Sequence, residues 1–226
     1  LDAIHKMAQD TTLDPAFKAL ALGLPSEDEL AQTMFAAGTT PDPSAIWQAL
    51  ETLRQTRAEH MLDLARTIYD AHQVPEPYAP NAQQSGARAL TNAALAMITR
   101  VDGGALAEVQ FDVSDNMTQQ LAAFGCLLQA GKGETATERF YDQWHHDRLV
   151  IDKWFMMQVA NAKPDQTAAT AQALTDHPDF TLRNPNRFRA VMGGLVMCPA
   201  GFHDPSGAGY RVLTDWLIKL DPLNPQ

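Results

Sequence analysis

At 226 residues the chain is long enough for one large domain or two small ones, with a substantial core. A net charge of −10 excludes a protein that grips a phosphate backbone through a basic face. No apolar run approaches the roughly 20 residues of a membrane-spanning helix, and hydrophobic (45%) and charged (19%) residues are balanced as in ordinary soluble globular chains.

The chain opens on a short helix. Asp14 and Pro15 then suit an N-cap and the first position of a second helix. Ser26 with Glu29 three residues on forms a capping box, and the helix it starts runs to about Ala37 and stops at Gly38. The Pro41-Asp-Pro-Ser44 segment begins what reads as the longest helix, with Ile46, Leu50, Leu53, Met61, Leu64 and Ile68 on one stripe. Pro75, Pro77 and Pro80 end it; helices of the same kind on both sides make this a turn inside one array.

A helix over Ala82–Thr99 follows, carrying Leu90, Ala94, Met97 and Ile98. Gly103 and Gly104 interrupt it before another helix over Ala105–Val113. Asp115 or Asn116 restarts the chain, with Met117, Leu121, Phe124 and Leu128 on an apolar face that Gly131-Lys-Gly133 terminates. Glu134 to His146 is helical. Val150 to Ala160 is apolar on more than one side and reads as a central helix. A short Ala-rich helix over Ala168–Leu174 comes next, and His177-Pro-Asp179 forms a loop. Val109–Val113 is the one candidate strand, and no stretch alternates with a period of two. The sum is an all-α chain of about ten to twelve helices, whose short connections favour antiparallel pairs stacked into an irregular α-solenoid.

Chemistry is sparse along this array. No histidine is followed by glutamate, so the His-Glu-x-x-His helix of zinc hydrolases is missing. His145-His146-Asp147 is the densest polar cluster, but neighbours on a helix point about 100° apart, and Leu149 and Val150 stand where a further ligand would be needed. Asp142 could join His146, which still leaves two ligands. Gly131-Lys-Gly-Glu-Thr-Ala136 imitates a dinucleotide loop but follows a helix where the real motif follows a strand. No serine or cysteine has a strand-to-helix nucleophile elbow. Cys126 and Cys198, the two cysteines, sit in apolar company and read as reduced core thiols, which with the lack of a signal-peptide pattern suits a cytoplasmic chain, where the Asn116-Met-Thr118 sequon would have no meaning.

The most loaded stretch begins at Asn184. Asn184 or Asn186 can cap a helix, Pro185 fits its start, and Phe188, Val191, Met192, Leu195 and Val196 make a buried face. Arg187 and Arg189 fall in its first turn, against the helix dipole. Either both serve structural ion pairs, or at least one lines a cavity that receives carboxylate or carbonyl groups. Gly207-Ala-Gly-Tyr210 then feeds a helix whose core face would be Leu213, Trp216, Leu217 and Leu220.

Asn184-Pro-Asn-Arg-x-Arg189, Phe202-His203, Gly207-x-Gly-Tyr210 and Asn224-Pro-Gln226 resemble the C-terminal helical domain of the M1 (gluzincin) family of zinc metallopeptidases, of the bacterial aminopeptidase N kind. Asp152-Lys-Trp154-Phe155, Asp115-Asn-Met-Thr118, Arg88-Ala-Leu-x-Asn92 and Leu24-Pro-Ser-Glu27 extend the resemblance over nearly the whole chain.

The resemblance implies a four-domain enzyme in which zinc, its ligands and the exopeptidase loop lie in earlier domains. It also implies a C-terminal superhelix that closes a chamber over the active site and limits peptide access. Residues 1–226 would then be a single, non-catalytic helical domain, excised from that superhelix and exposing apolar cut faces. Its partners would be the parent's catalytic domain and peptide substrates, with no nucleic acid or membrane, and it would hold no cofactor itself. Arg189 would face the chamber on the primed side, and Gln226 would border the pocket for the substrate's first side chain. The alternatives are a free-standing helical scaffold that binds a protein partner and a small enzyme built on His145, His146 and Asp147.

Overall fold

A computed structural model of the chain describes residues 1–223. Asn224 to Gln226, and with them the expected role of Gln226, lie outside the described residues. All regular structure among the described residues is helical, and Val109–Val113 belongs to a helix. The elements are α1 (Asp2–Gln9), α2 (Pro15–Ala21), α3 (Glu27–Ala36), α4 (Pro43–His60), α5 (Leu62–Ala71), α6 (Ala82–Asp102), α7 (Ala105–Val113), α8 (Met117–Gln129), α9 (Gly133–Trp144), α10 (Arg148–Ala160), α11 (Pro164–Thr175), α12 (Pro185–Val196), α13 (Pro199–Phe202) and α14 (Ala208–Leu220).

Local chemistry sets most boundaries. The Asp14 carboxylate accepts from the amides of Ala16 and Phe17, Asp42 caps α4 through Ser44 and Ala45, and Asn116 caps α8 through Gln119. Gly103 (φ 67°) and Gly104 (φ 93°) take the left-handed conformation that ends α6 and launches α7, so the chain turns there at no steric cost.

Two expected elements differ. The helix from Pro43 does not run through to Ile68: fully buried Met61 leaves the helical well at φ −105° and ψ 8°, splitting it into α4 and α5. The longest helix is therefore α6, with 21 residues, against 18 for α4. Pro164 does not merely stop α10; it opens α11, which starts earlier than the Ala-rich run suggested because proline is pre-set for the first helical position.

The fold comprises two compact units, residues 1–26 with 49–136 and residues 27–48 with 137–226. In the first, α6 is the central element. Its Leu90, Ala94, Leu95, Met97 and Ile98 are essentially inaccessible, and it packs against α2, α5, α7 and α8. The proline-rich connector before α6 lies inside this unit. Buried Gln110 has its polar atoms satisfied: it accepts from the Tyr69 hydroxyl at 3.0 Å and donates to Asn92 Oδ1 (3.0 Å) and the Gln119 carbonyl (2.9 Å). Leu53 is 39% exposed, off the buried stripe expected of it. On α8 the buried face centres on Ala123, Phe124 and Leu127.

In the second unit α10 packs along α12, joining Ile151, Trp154, Phe155 and Val159 to Phe188, Val191, Met192 and Leu195. Val196, expected in that face, is 46% exposed. Gly194 lets the two helices approach closely, since a Cβ there would sit 3.0 Å from Val159 Cβ. The core face expected of α14 is only partly covered: Leu213, Trp216 and Leu220 are half-buried and Leu217 is 46% exposed, while the helix's one buried residue is Gly209.

Gly209 holds α14 to α13, because an added Cβ would lie 2.5 Å from the Phe202 carbonyl oxygen and 2.9 Å from its Cα. Backbone cannot yield as a flexible side chain can. Gly209→Ala is therefore expected to destabilise the fold by about 1–3 kcal/mol, read as a lower urea midpoint with an unchanged m-value. An unaltered midpoint would show that α14 can shift freely.

Candidate functional site

The Asn184 stretch folds as its residues dictate. Asn184 accepts from the Asn186 amide at 3.1 Å, Pro185 occupies the first turn, and the apolar positions bury α12 against α10 and α11. The two arginines of that turn separate completely. Arg187 is 5% exposed and its Nε donates to Asp152 Oδ1 of α10 at 2.6 Å. Its Nη1 donates to the Asp179 carbonyl, and the guanidinium lies 4.7 Å over the Phe155 ring. Arg189 is exposed and meets no hydrogen-bonding or ion-pair partner among the described residues. Of the two readings left open for the pair, the structural one fits Arg187 and does not account for Arg189.

Around Arg187 lies a cluster that the sequence alone did not single out. Asp179 accepts the Tyr141 hydroxyl at 2.8 Å, and its amide donates to His177 Nδ1 at 3.1 Å. The His177 ring sits 5.1 Å from Tyr141, 5.1 Å from Trp154 and 5.4 Å from Phe155, centroid to centroid. Burial among these rings pushes the His177 pKa below its ordinary value; the Asp179 charge opposes this and the Arg187 charge reinforces it. The Tyr141 hydroxyl is raised, first by its bond to Asp179 and then by burial. Asp152 and Trp154 belong to a motif visible in the sequence, and their role shows only once α10 and α12 are side by side.

The other candidates resolve into structure. Asp147 caps α10 through the amides of Leu149 and Val150, and the His145 ring Nδ1 faces the carbonyls of Tyr141 (3.2 Å) and Asp142 (3.1 Å). The His146 ring stacks near Trp144 at 6.4 Å. Among the described residues no three His, Cys, Asp or Glu side chains are placed to hold one metal ion, so zinc is not fitted by this donor set. Cys126 and Cys198 are both free and buried. Gly131, at φ 74°, closes the turn between α8 and α9.

Further along, His203 Nδ1 contacts the Tyr210 hydroxyl, and the Phe202 ring meets Tyr210 edge-on at 4.9 Å. His203 also borders an open cleft of about 400 Å³ with Glu27, Asp28, Pro41 and Pro43. Trp216 of α14 takes the edge of Phe180 at 5.0 Å, with Lys219 Nζ 3.9 Å over its ring. No described helix is long and apolar enough to cross a membrane.

A family model described as "Domain of unknown function (DUF3458_C) ARM repeats" matches residues 1–226. The chain belongs to this family. Its all-helical fold is thereby that of an α-solenoid, as the sequence led us to expect. Aminopeptidase N of Caulobacter vibrioides is 39% identical over 230 residues, covering 99% of this chain and 26% of the relative. The aminopeptidase N proteins of Escherichia coli (33%) and Haemophilus influenzae (34%) match the whole chain and again 26% of their own length. The chain thus spans about a quarter of the curated relatives it matches. A crystal structure of Legionella pneumophila aminopeptidase A in complex with aspartic acid has a similar fold over 97% of this chain and 27% of that one, with TM-score 0.85 at 24% identity.

Two measurements check the division of labour at the site. Arg187→Met leaves Asp152 without its partner and is expected to cost about 3–5 kcal/mol in urea unfolding, whereas Arg189→Ala stays within about 0.5 kcal/mol of wild type. Equal losses would mean that Arg189 is a structural residue too.

The lowered pKa of His177 fixes the sign of a pH effect. Above its unfolded value near 6.5 the ring is neutral in both states, and its contribution to stability is full. As the pH falls below that value and through the lower folded pKa, the unfolded chain takes up a proton that the native ring refuses, and stability drops. Replacing His177 by Phe should flatten the stability–pH curve in this window by up to about one proton. An unchanged slope would assign the acid sensitivity elsewhere.

Proposed function

We propose that the chain is the non-catalytic C-terminal helical part of a cytoplasmic M1-type zinc aminopeptidase, and that it caps the active-site chamber and controls which peptides enter. Zinc and the residues that hold it would belong to another part of that enzyme. Peptide substrates and the enzyme's own catalytic domain would be the partners of this chain.

The observation that carries the reading is the 39% identity with an aminopeptidase N, sustained over 99% of the chain yet covering 26% of the relative. A stretch that holds no zinc-fitting cluster among its described residues, and matches so small a share of an aminopeptidase, suits an accessory role within it.

Within this reading Arg189 and Gln226 line the chamber. Arg189 is suited to the role by its exposure and by its lack of any partner among the described residues, two positions from an arginine wholly engaged in packing. An exposed guanidinium offers a planar set of donors to the carbonyls and terminal carboxylate of a peptide.

In the intact enzyme Arg189→Ala is expected to lower kcat/KM for peptides by about tenfold, the worth of one charge-assisted hydrogen bond. Small chromogenic aminoacyl substrates, which do not reach the primed side, should be cleaved nearly as by wild type. Equal loss on both substrate classes would rule out selective peptide contact.

A further inference from the structure

In the first unit, two arginines share one carboxylate, and a third lies beside them. Glu51 of α4 accepts Arg54 Nη1 at 2.6 Å, and Arg100 of α6 grips the same group twice, Nη1 to Oε2 at 2.9 Å and Nη2 to Oε1 at 3.1 Å. Arg57, one turn past Arg54, directs Nη1 to the Leu22 carbonyl, while its buried Nε meets no acceptor among the described residues. The Arg54, Arg100 and Glu51 side chains are 28%, 21% and 32% exposed, so the outer surface of the cluster is open to solvent.

One carboxylate among three guanidiniums leaves two positive charges in excess, within a chain of net charge −10. The mutual repulsion is felt: Arg57 is pulled below its ordinary pKa by burial and then by the charges of Arg100 and Arg54. At Glu51, burial alone would raise the pKa, but the bonds from Arg100 and Arg54 outweigh it and hold the group ionised. Arg54 commits only Nη1 to Glu51, so the rest of its fork can bind a ligand.

We propose that Arg54, Arg57 and Arg100 form a binding site for a small phosphate-type dianion, seated on the outer guanidinium edges with Arg57 supplying charge from beneath. A dianion matches the two uncompensated charges. Chloride or a monocarboxylate would leave one charge unbalanced and could not bridge two forks with as many oxygens.

The test is calorimetric titration of the full-length protein with inorganic phosphate, against chloride at matched ionic strength. Wild type should bind phosphate saturably and chloride not, and Arg57→Gln should weaken that binding by about tenfold. Glu51→Gln, which removes the competing carboxylate, should tighten it several-fold. If Arg57→Gln loses helical circular dichroism, Arg54→Gln on the exposed side takes its place, with the same loss expected. The assignment fails if phosphate gives no heat beyond chloride, if the arginine variant binds like wild type, or if Glu51→Gln weakens binding.

Discussion

The second unit is organised by the need to satisfy a buried guanidinium. Taking an arginine out of water costs several kcal/mol unless its charge and donors are met, and Arg187 meets them from three directions. Asp152 on α10 supplies the counter-charge, the Asp179 carbonyl takes a second donor, and the Phe155 ring covers the plane. Each partner drags structure with it. Asp152 fixes the pairing of α10 with α12, and Asp179 pins the loop before α12 to Tyr141 on α9 and to His177. The position of Arg189 follows from the same constraint. Residues two apart on a helix point about 200° apart, so seating Arg187 in the core turns Arg189 outward.

Close backbone approach carries that order onward. Gly194 sets the distance between α10 and α12, Gly201 brings α13 against Thr167 of α11, and Gly209 brings α14 against Phe202. These are contacts that larger residues cannot imitate, so a run of helices is located by small residues at crossings as much as by apolar faces. Where such a crossing is missing, the apolar face is not buried. α14 meets its neighbours through Gly209 at one end and through the Trp216 ring against Phe180 farther along, while Leu217 and Ile218 stay 46% and 66% exposed.

What could be read from the sequence was what local chemistry decides. The cap at Asp14 and the paired glycines at 103 and 104 stand where they were expected, and at α8 and α12 the structure selects Asn116 and Asn184 from the two candidates each offered. The break at Met61 was not legible, because periodicity continues through it; nor was the exposure of Leu53, Val196 and Leu217, which depends on what lies across from each side chain. The site divides in the same way. Two arginines against the dipole of one helix start were visible as an anomaly, but whether both serve ion pairs or one faces a cavity was left open by the sequence. The identity of the buried one needed Asp152, 35 residues away, and the aromatic rings around His177 come from two separate helices, α9 and α10.

An arginine near a helix start that nothing in the fold repays is informative for that reason. Opposing the positive end of a helix costs about 0.3–1 kcal/mol at an exposed first-turn position, and less at Arg189, the fifth residue of α12. Arg187 more than recovers this through its ion pair, whereas Arg189 has no partner among the described residues to recover it with. Local rules tend to be broken where a residue answers to something other than stability. In this chain the break falls on a rigidly held helix start, in a segment whose relatives are aminopeptidases about four times its length. An exposed guanidinium whose donors no described residue takes up is what the peptide contact proposed for Arg189 would draw on.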